Sequence, residues 1–439
     1  MTQRFSGLLL LACLLLPGCI AQYRPQSGPP CQLVEALDNC GTYDLLRGPE
    51  NSYLLGIAEF DDQGEPWSPA QINSLVPRIS QTVGNRPLLV VVFAHGWFHD
   101  ADARDSNLLI FNQLLGYLQQ QEGVYARDSR KPEATTGGNT PRQVVGIYLG
   151  WRGESVSFPG LKYLSFWGRK KAAQKIGRRG ALELLLPLEK LVRSRNLADP
   201  EFAPEPGESQ LLLIGHSFGG ALLYSALANI MVQHHFESGP ETGFGDQIVL
   251  LNPAIEAQQF ANLRRIFRQE GGDSGVQAAR LVILASETDW PMGIFFPFGR
   301  GFSTWLERHR EDQRSANTHG IGHYQPFNTH YVHALPVEEK VVDICDQPAA
   351  DQFRWLLLQT SPADADDCRT GELVGERFCF RATGNYPFGS LLIAQTSSDI
   401  MDGHSDICNT NLVALLTALI EEQTEPEWRQ RAVRKPAIP

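Results

Sequence analysis

The chain has 439 residues, 42% of them hydrophobic and 20% charged, with a formal net charge of −11 at pH 7. That composition supports a packed core and excludes a chain that is largely disordered, collagen-like or of low complexity. Its acidity argues against sequence-independent nucleic-acid binding, which needs Lys and Arg to neutralise phosphates. At about 100–200 residues per domain, the length admits two or three domains, or one large domain with insertions.

In chain order, the first feature is an export signal. Arg4 precedes an apolar run over 8–16. The run is shorter than the about 20 residues a helix needs to cross a bilayer, and it fits the apolar region of a secretory signal. Leu16-Pro17-Gly18-Cys19 follows and resembles the bacterial lipobox, with Pro17 a less usual residue at its place. The resemblance implies a signal peptide over 1–18 and a mature chain that starts at Cys19. That residue would carry diacylglycerol and an amide-linked acyl chain, anchoring the protein to the cell envelope. Ile20 in place of Asp implies the outer membrane in a Gram-negative host. The alternative is an ordinary signal peptide cleaved nearby, with Cys19 incidental. No later stretch has 18 consecutive apolar residues, so no transmembrane helix is expected.

Six other cysteines follow Cys19: Cys31, Cys40, Cys345, Cys368, Cys379 and Cys408. An even number in an exported chain points to disulfides. Cys31 and Cys40 are close to each other and far from the rest, so they are expected to pair; the other four allow three connectivities. No C-x₂-C spacing supports zinc.

Residues 20–30 hold Pro25, Pro29 and Pro30 and read as a tether, within an anchored N-terminal segment over 19–42. An alternation of strands and helices then begins. Strands are expected at 53–60, 88–94, 144–149, 211–214, 248–251, 281–285 and 390–394. Helices are expected around 107–120, 180–192, 221–231, 257–268 and 412–420. The run LLVVVFA at 88–94 is apolar throughout and rich in β-branched residues, as a strand buried on both faces must be. This alternation predicts an α/β fold: a mostly parallel sheet with helices on both faces. Its core spans 43–289 and resumes at 388–422. Two stretches interrupt it: an aromatic and basic one over 152–179, and a long insertion or cap over 290–387, before the last strand. A polar tail covers 423–439.

The most informative stretch is Gly215-His216-Ser217-Phe218-Gly219-Gly220, which satisfies G-x-S-x-G between an expected strand and an expected helix. A turn this tight strains the serine backbone and lifts its hydroxyl above the sheet edge, and the flanking glycines keep side chains clear. A plain glycine-rich strand-to-helix turn is the competing reading.

Here the chain resembles the α/β-hydrolase superfamily, and G-H-S-F-G-G resembles its lipase and esterase branch. The resemblance covers roughly 50–422, apart from the two interruptions, and it implies Ser217 as nucleophile. It also implies an oxyanion hole after the strand two before the elbow, where Ala94-His95-Gly96-Trp97 stands. The donors there would be the main-chain N–H groups of Trp97 and Phe218. It implies an acid after a later strand, for which Asp289 is the best candidate and Glu287 and Glu256 are rivals. Last in chain order comes the histidine: His404 after the final strand, with His319 and His323 as rivals in the insertion. His319, His323, His330 and His333 cluster in sequence without a regular metal-ligand spacing.

The resulting expectation is a lipid-anchored serine hydrolase that cleaves carboxylic esters, lipids included, through an acyl-enzyme. No cofactor, metal or nucleic acid is implied; thioesters and amides stay open as substrates. A non-catalytic surface binding protein on a retained hydrolase scaffold is the alternative from another class. The basic stretch, with Arg169, Lys170, Lys171 and Lys175 among its cations, is expected to form a solvated helix face with its aromatics in the core; contact with anionic headgroups or an acidic substrate is the other reading.

Overall fold

The computed structural model describes residues 46–48, 52–128, 141–155, 165–196, 209–238, 244–267, 279–304, 307–308, 310, 313–335, 368, 372–374, 377–384 and 391–422. The stretch expected to be a lipobox with Cys19, the expected partners Cys31 and Cys40, Cys345 and the tail over 423–439 lie outside the described residues.

The described residues form an eleven-stranded sheet. Its strands are β1 (Leu46–Arg47), β2 (Leu54–Phe60), β3 (Leu88–Ala94), β4 (Gln143–Trp151), β5 (Gln210–His216) and β6 (Gln247–Leu251). They continue with β7 (Leu281–Ser286), β8 (His330–Ala334), β9 (Glu372–Val374), β10 (Phe378–Ala382) and β11 (Leu391–Thr396). The order across the sheet is β1-β2-β4-β3-β5-β6-β7-β11-β8-β10-β9. Neighbours from β2 through β8 run parallel. Only the margins are antiparallel: β1 on β2, and β10 between β8 and β9.

Parallel strands have both faces covered, and side-chain alternation shows how. Val90, Val92 and Ala94 of β3 join one buried cluster with helices α1 (Pro69–Val83), α3 (Phe166–Arg178), α4 (Gly180–Asn196), α5 (Phe218–Ser238) and α6 (Ala261–Phe267). Leu89, Val91 and Phe93 join the opposite cluster with α2 (Ser106–Asp128) and α8 (Thr410–Glu422). The α/β arrangement read from the sequence is therefore observed, with helices on both faces. No described helix is long and apolar enough to cross a membrane.

Two expectations need correction. The stretch 290–387 is not all outside the sheet, because it supplies β8, β9 and β10 beyond the expected last strand. Strand β8 reads HYVHA and mixes histidines with apolar residues, so it lacks the continuous apolar run of the other strands. It is held by pairing on both sides, with β11 and β10. Cys368 and Cys379 of this region form a disulfide, and Cys408 is also disulfide-bonded.

The second correction concerns the basic stretch. Helix α3 packs against α5, and two of its cations are buried rather than solvated. Arg169 pairs with Asp62 at 2.6 Å, and Lys170 pairs with Glu256 at 2.5 Å. Arg300, in α7 (Phe296–Ser303), reaches the same Glu256 oxygen at 3.0 Å. Burial pushes the Lys170 ammonium down to about 8 against the pull of Glu256. The aromatic part of the reading holds: Phe166 and Trp167 pack on the core.

Candidate active site

All the parallel strands end on one edge of the sheet, and five of those ends carry the candidate residues. Strand β5 stops at His216 and α5 starts at Phe218, so Ser217 alone makes the turn. Its φ is +54°, a left-handed conformation that L residues seldom adopt and that occurs at strained functional turns. Ser217 N–H donates to Leu251 O at 2.9 Å, and Ser217 O accepts from Ala254 N–H at 3.1 Å, which ties the turn to the end of β6. Gly219 cannot be replaced without a collision: a Cβ there would lie 1.9 Å from Ala94 O. At Gly215 a Cβ would lie 2.8 Å from Gly219 O.

The histidine comes from the loop after β11. His404 Nε2 lies 2.8 Å from Ser217 Oγ, and His404 Nδ1 lies 2.7 Å from Asp289 Oδ2. Asp289 follows β7, is buried, and also accepts from Met292 N–H at 3.0 Å. Burial alone would raise its carboxyl. The His323 and His404 imidazoles and the Met292 N–H outweigh burial and hold it well below the usual carboxylate range. The charged acid therefore accepts the Nδ1 proton of His404, which leaves the Nε2 lone pair facing the serine hydroxyl.

The turn after β3 supplies the next part. Gly96 lies so close to the elbow that a Cβ there would meet Ser217 Cβ at 3.1 Å and His216 Nδ1 at 2.8 Å. Trp151 N–H donates to His95 Nε2 at 3.1 Å, so the His95 proton is on Nδ1 and donates to Gly96 O at 2.9 Å. In a trans peptide the C=O and the following N–H point opposite ways. The grip of His95 on Gly96 O thus fixes the direction of the Trp97 N–H. Phe218 opens α5, and the first N–H groups of a helix have no intrahelical acceptor.

The rivals have other partners. Glu287 accepts from Tyr331 OH at 3.2 Å and from Ser398 N–H at 3.3 Å. Glu256 is committed to Lys170 and Arg300. His319 Nδ1 bonds Ser315 O at 2.8 Å, and His330 Nδ1 lies 3.0 Å from Thr329 Oγ1. His323 comes near the site from the other side, with its Nε2 3.9 Å from Asp289 Oδ2. Among the described residues no group of three His, Cys, Asp or Glu side chains could hold a metal ion.

Several supporting residues do not follow from any motif. Asn252 directly follows β6 with φ +42°, and its Nδ2 reaches Gly403 O and His404 O, both at 3.0 Å. Ser286 Oγ donates to Met401 O at 2.7 Å, and Gly403 N–H donates to Thr288 Oγ1 at 2.8 Å. The signal for Asn252 was faint: an Asn-Pro pair directly after a strand, where Asn tolerates the left-handed turn.

The buried histidines give the fold an acid limit. Burial pushes His95 down to about 4, His216 to about 3 and His330 to about 4. Between these values and about 6.5 the unfolded chain binds more protons than the folded one, so stability falls as pH falls. Asp246, raised to about 6 by burial, acts the other way and offsets one of the three. Urea unfolding from pH 7 to pH 4.5 should therefore show stability dropping by more than about 1 kcal/mol per pH unit. A flat profile would contradict the neutral, buried state assigned to His95 and His216.

An aromatic wall leads away from the site. Trp97 stacks on Phe98 at 3.9 Å and meets Phe166 edge-on at 5.0 Å. Phe166 contacts Phe218 at 4.8 Å and Phe296 at 6.3 Å. Phe296 opens α7, after the π-helical turn Pro291–Phe295 that follows Asp289. Trp290, Ile294, Phe295 and Phe298 are 61%, 50%, 61% and 82% exposed, and the sequence from Trp290 to Gly299 holds no charged side chain. No family model, no curated protein and no solved structure matches the chain.

Proposed function

We propose that this protein is a serine hydrolase of the α/β-hydrolase fold, acting on carboxylic esters at the cell envelope. The observation that carries the reading is the hydrogen-bonded line from Ser217 Oγ through His404 to Asp289, with steps of 2.8 and 2.7 Å. Such a line activates a hydroxyl that is otherwise a weak nucleophile. His404 Nε2 takes the Ser217 proton as Oγ bonds to the acyl carbon. The carbonyl oxygen becomes an oxyanion, facing the N–H groups of Trp97 and Phe218. Protonated His404 then gives its proton to the leaving alkoxide, and the acyl-enzyme forms. Water, deprotonated by the same imidazole, attacks the acyl carbon; the bond from Ser217 Oγ to that carbon breaks, protonated His404 returns its proton to Oγ, and the acid leaves. Each oxyanion donor contributes about 3–4 kcal/mol in the transition state.

Lipidation of Cys19 belongs to the same proposal, and mass spectrometry of the mature N-terminus tests it. An unacylated N-terminus at another residue would refute the anchor without touching the chemistry.

The apolar segment after Asp289 supports hydrophobic esters over small polar ones. Large exposed apolar patches mark sites that meet another apolar surface, and this patch adjoins the acid. The test is hydrolysis of p-nitrophenyl esters graded by acyl length. Burying one Phe side chain contributes about 1.5–3 kcal/mol, so Phe298→Ser and Phe295→Ser should each lower the long-to-short rate ratio about tenfold or more. An unchanged ratio would remove the patch from substrate binding, and no hydrolysis of any ester by folded protein would overturn the ester reading.

A further inference from the structure

We infer that Asn252 and His216 are the positioning residues of His404, which they hold by its main-chain carbonyl; the inference rests on the hydrolase reading above. The His404 imidazole has both nitrogens engaged in the reactive line, so its side chain is not free to anchor the loop. That loop belongs to no helix or strand, and Gly403 within it has φ +89°. Something else must fix it, and two buried side chains converge on it. His216 Nε2 lies 2.8 Å from His404 O, and Asn252 Nδ2 lies 3.0 Å from the same oxygen and 3.0 Å from Gly403 O.

The proton positions in this clamp are determined by its partners. A carbonyl only accepts, so His216 must carry its proton on Nε2. Burial, followed by the neighbouring His404, keeps the His216 imidazole neutral. Asn252 Oδ1 accepts from Ser286 N–H at 2.8 Å, so its amide nitrogen must face the two carbonyls. Asn252 N–H donates to Leu284 O at 2.8 Å. One side chain therefore joins three strand ends: its own β6, the β7 end that leads to Asp289, and the loop that carries His404. His216 adds the fourth, because it is the residue directly before the nucleophile. The 2.8 Å spacing of base and nucleophile is thus set by backbone grips rather than by the reacting side chains.

The clamp acts on geometry, and misplacing a catalytic group by about 1 Å costs about 100-fold. Two substitutions remove donors while keeping shape. Asn252→Asp keeps the left-handed tolerance and the acceptor for Ser286 but turns an oxygen toward the two carbonyls. His216→Met fills similar volume without a donor, whereas His216→Gln returns an N–H at similar reach.

The experiment uses the purified full chain and a p-nitrophenyl ester, with circular dichroism to verify folding. Asn252→Asp and His216→Met should lower kcat about 10- to 100-fold while KM changes less than about threefold. His216→Gln should restore a large part of the rate lost in His216→Met. A low-field proton signal of His404 Nδ1–H is expected in the wild type and should weaken or vanish in Asn252→Asp. Folded variants within about threefold of wild-type kcat, or a Gln variant no better than Met, would overturn the clamp. If Asn252→Asp does not fold, the Met and Gln pair decides. A wild type with no hydrolysis at all would instead defeat the hydrolase reading, and the proton signal would still report on the clamp.

Discussion

Ser217→Ala should lower ester hydrolysis by about 10⁴-fold or more and leave the fold intact. Members of a triad act as a unit, so removing one forfeits nearly the whole of their joint contribution. What survives should come from the proposed oxyanion donors and from substrate binding, which Ser217→Ala leaves in place. The fold has little at stake in the hydroxyl. The Ser217 side chain has one described hydrogen bond, to His404, and the elbow is held by main-chain bonds to Leu251 and Ala254. Thermal melting should stay close to wild type. A folded variant that keeps a tenth of the activity would place the nucleophile elsewhere.

Asp289→Asn should lower kcat by about 10⁴-fold with a smaller effect on KM. The two side chains have the same shape, but the amide can turn a donor toward His404 Nδ1. The imidazole would then move its proton to Nε2 and could no longer accept one from Ser217. The carboxylate also balances the imidazolium that forms during attack, and the neutral amide cannot. Asp289 is buried, so water makes up neither loss. Steady-state kinetics on the folded variant checks this, and a kcat within tenfold of wild type would mean that another group orients His404.

Much of this arrangement is legible in the sequence, for a physical reason. Strands buried on both faces are written as unbroken apolar runs, so β3, β5 and β7 stood out from their neighbours. The elbow was legible because the turn at Ser217 demands glycines at 215 and 219, and their collisions with main-chain oxygens show why. The place of His404 between a strand and a helix distinguishes it from His319 and His323, and it is the histidine beside Ser217.

What stayed hidden depends on contacts distant in sequence. Strand β8 was missed because its histidines break the apolar run and its stability comes from partners on both sides. The burial of Lys170 could not be read from a basic helix, since its partner Glu256 lies 86 residues away. Asn252 and Ser286 gave no motif because their role is to join separate strand ends. The close approach of His323 to Asp289 is likewise a product of the fold.

Treating the folded full chain with a fluorophosphonate and mapping the adduct by peptide mass spectrometry tests the reactivity of Ser217 most directly. One adduct is expected, on Ser217, lost in Ser217→Ala and strongly slowed in Asp289→Asn. A folded protein that takes no label would favour a binding protein on a silent scaffold, and label on a different residue would contradict the proposed site.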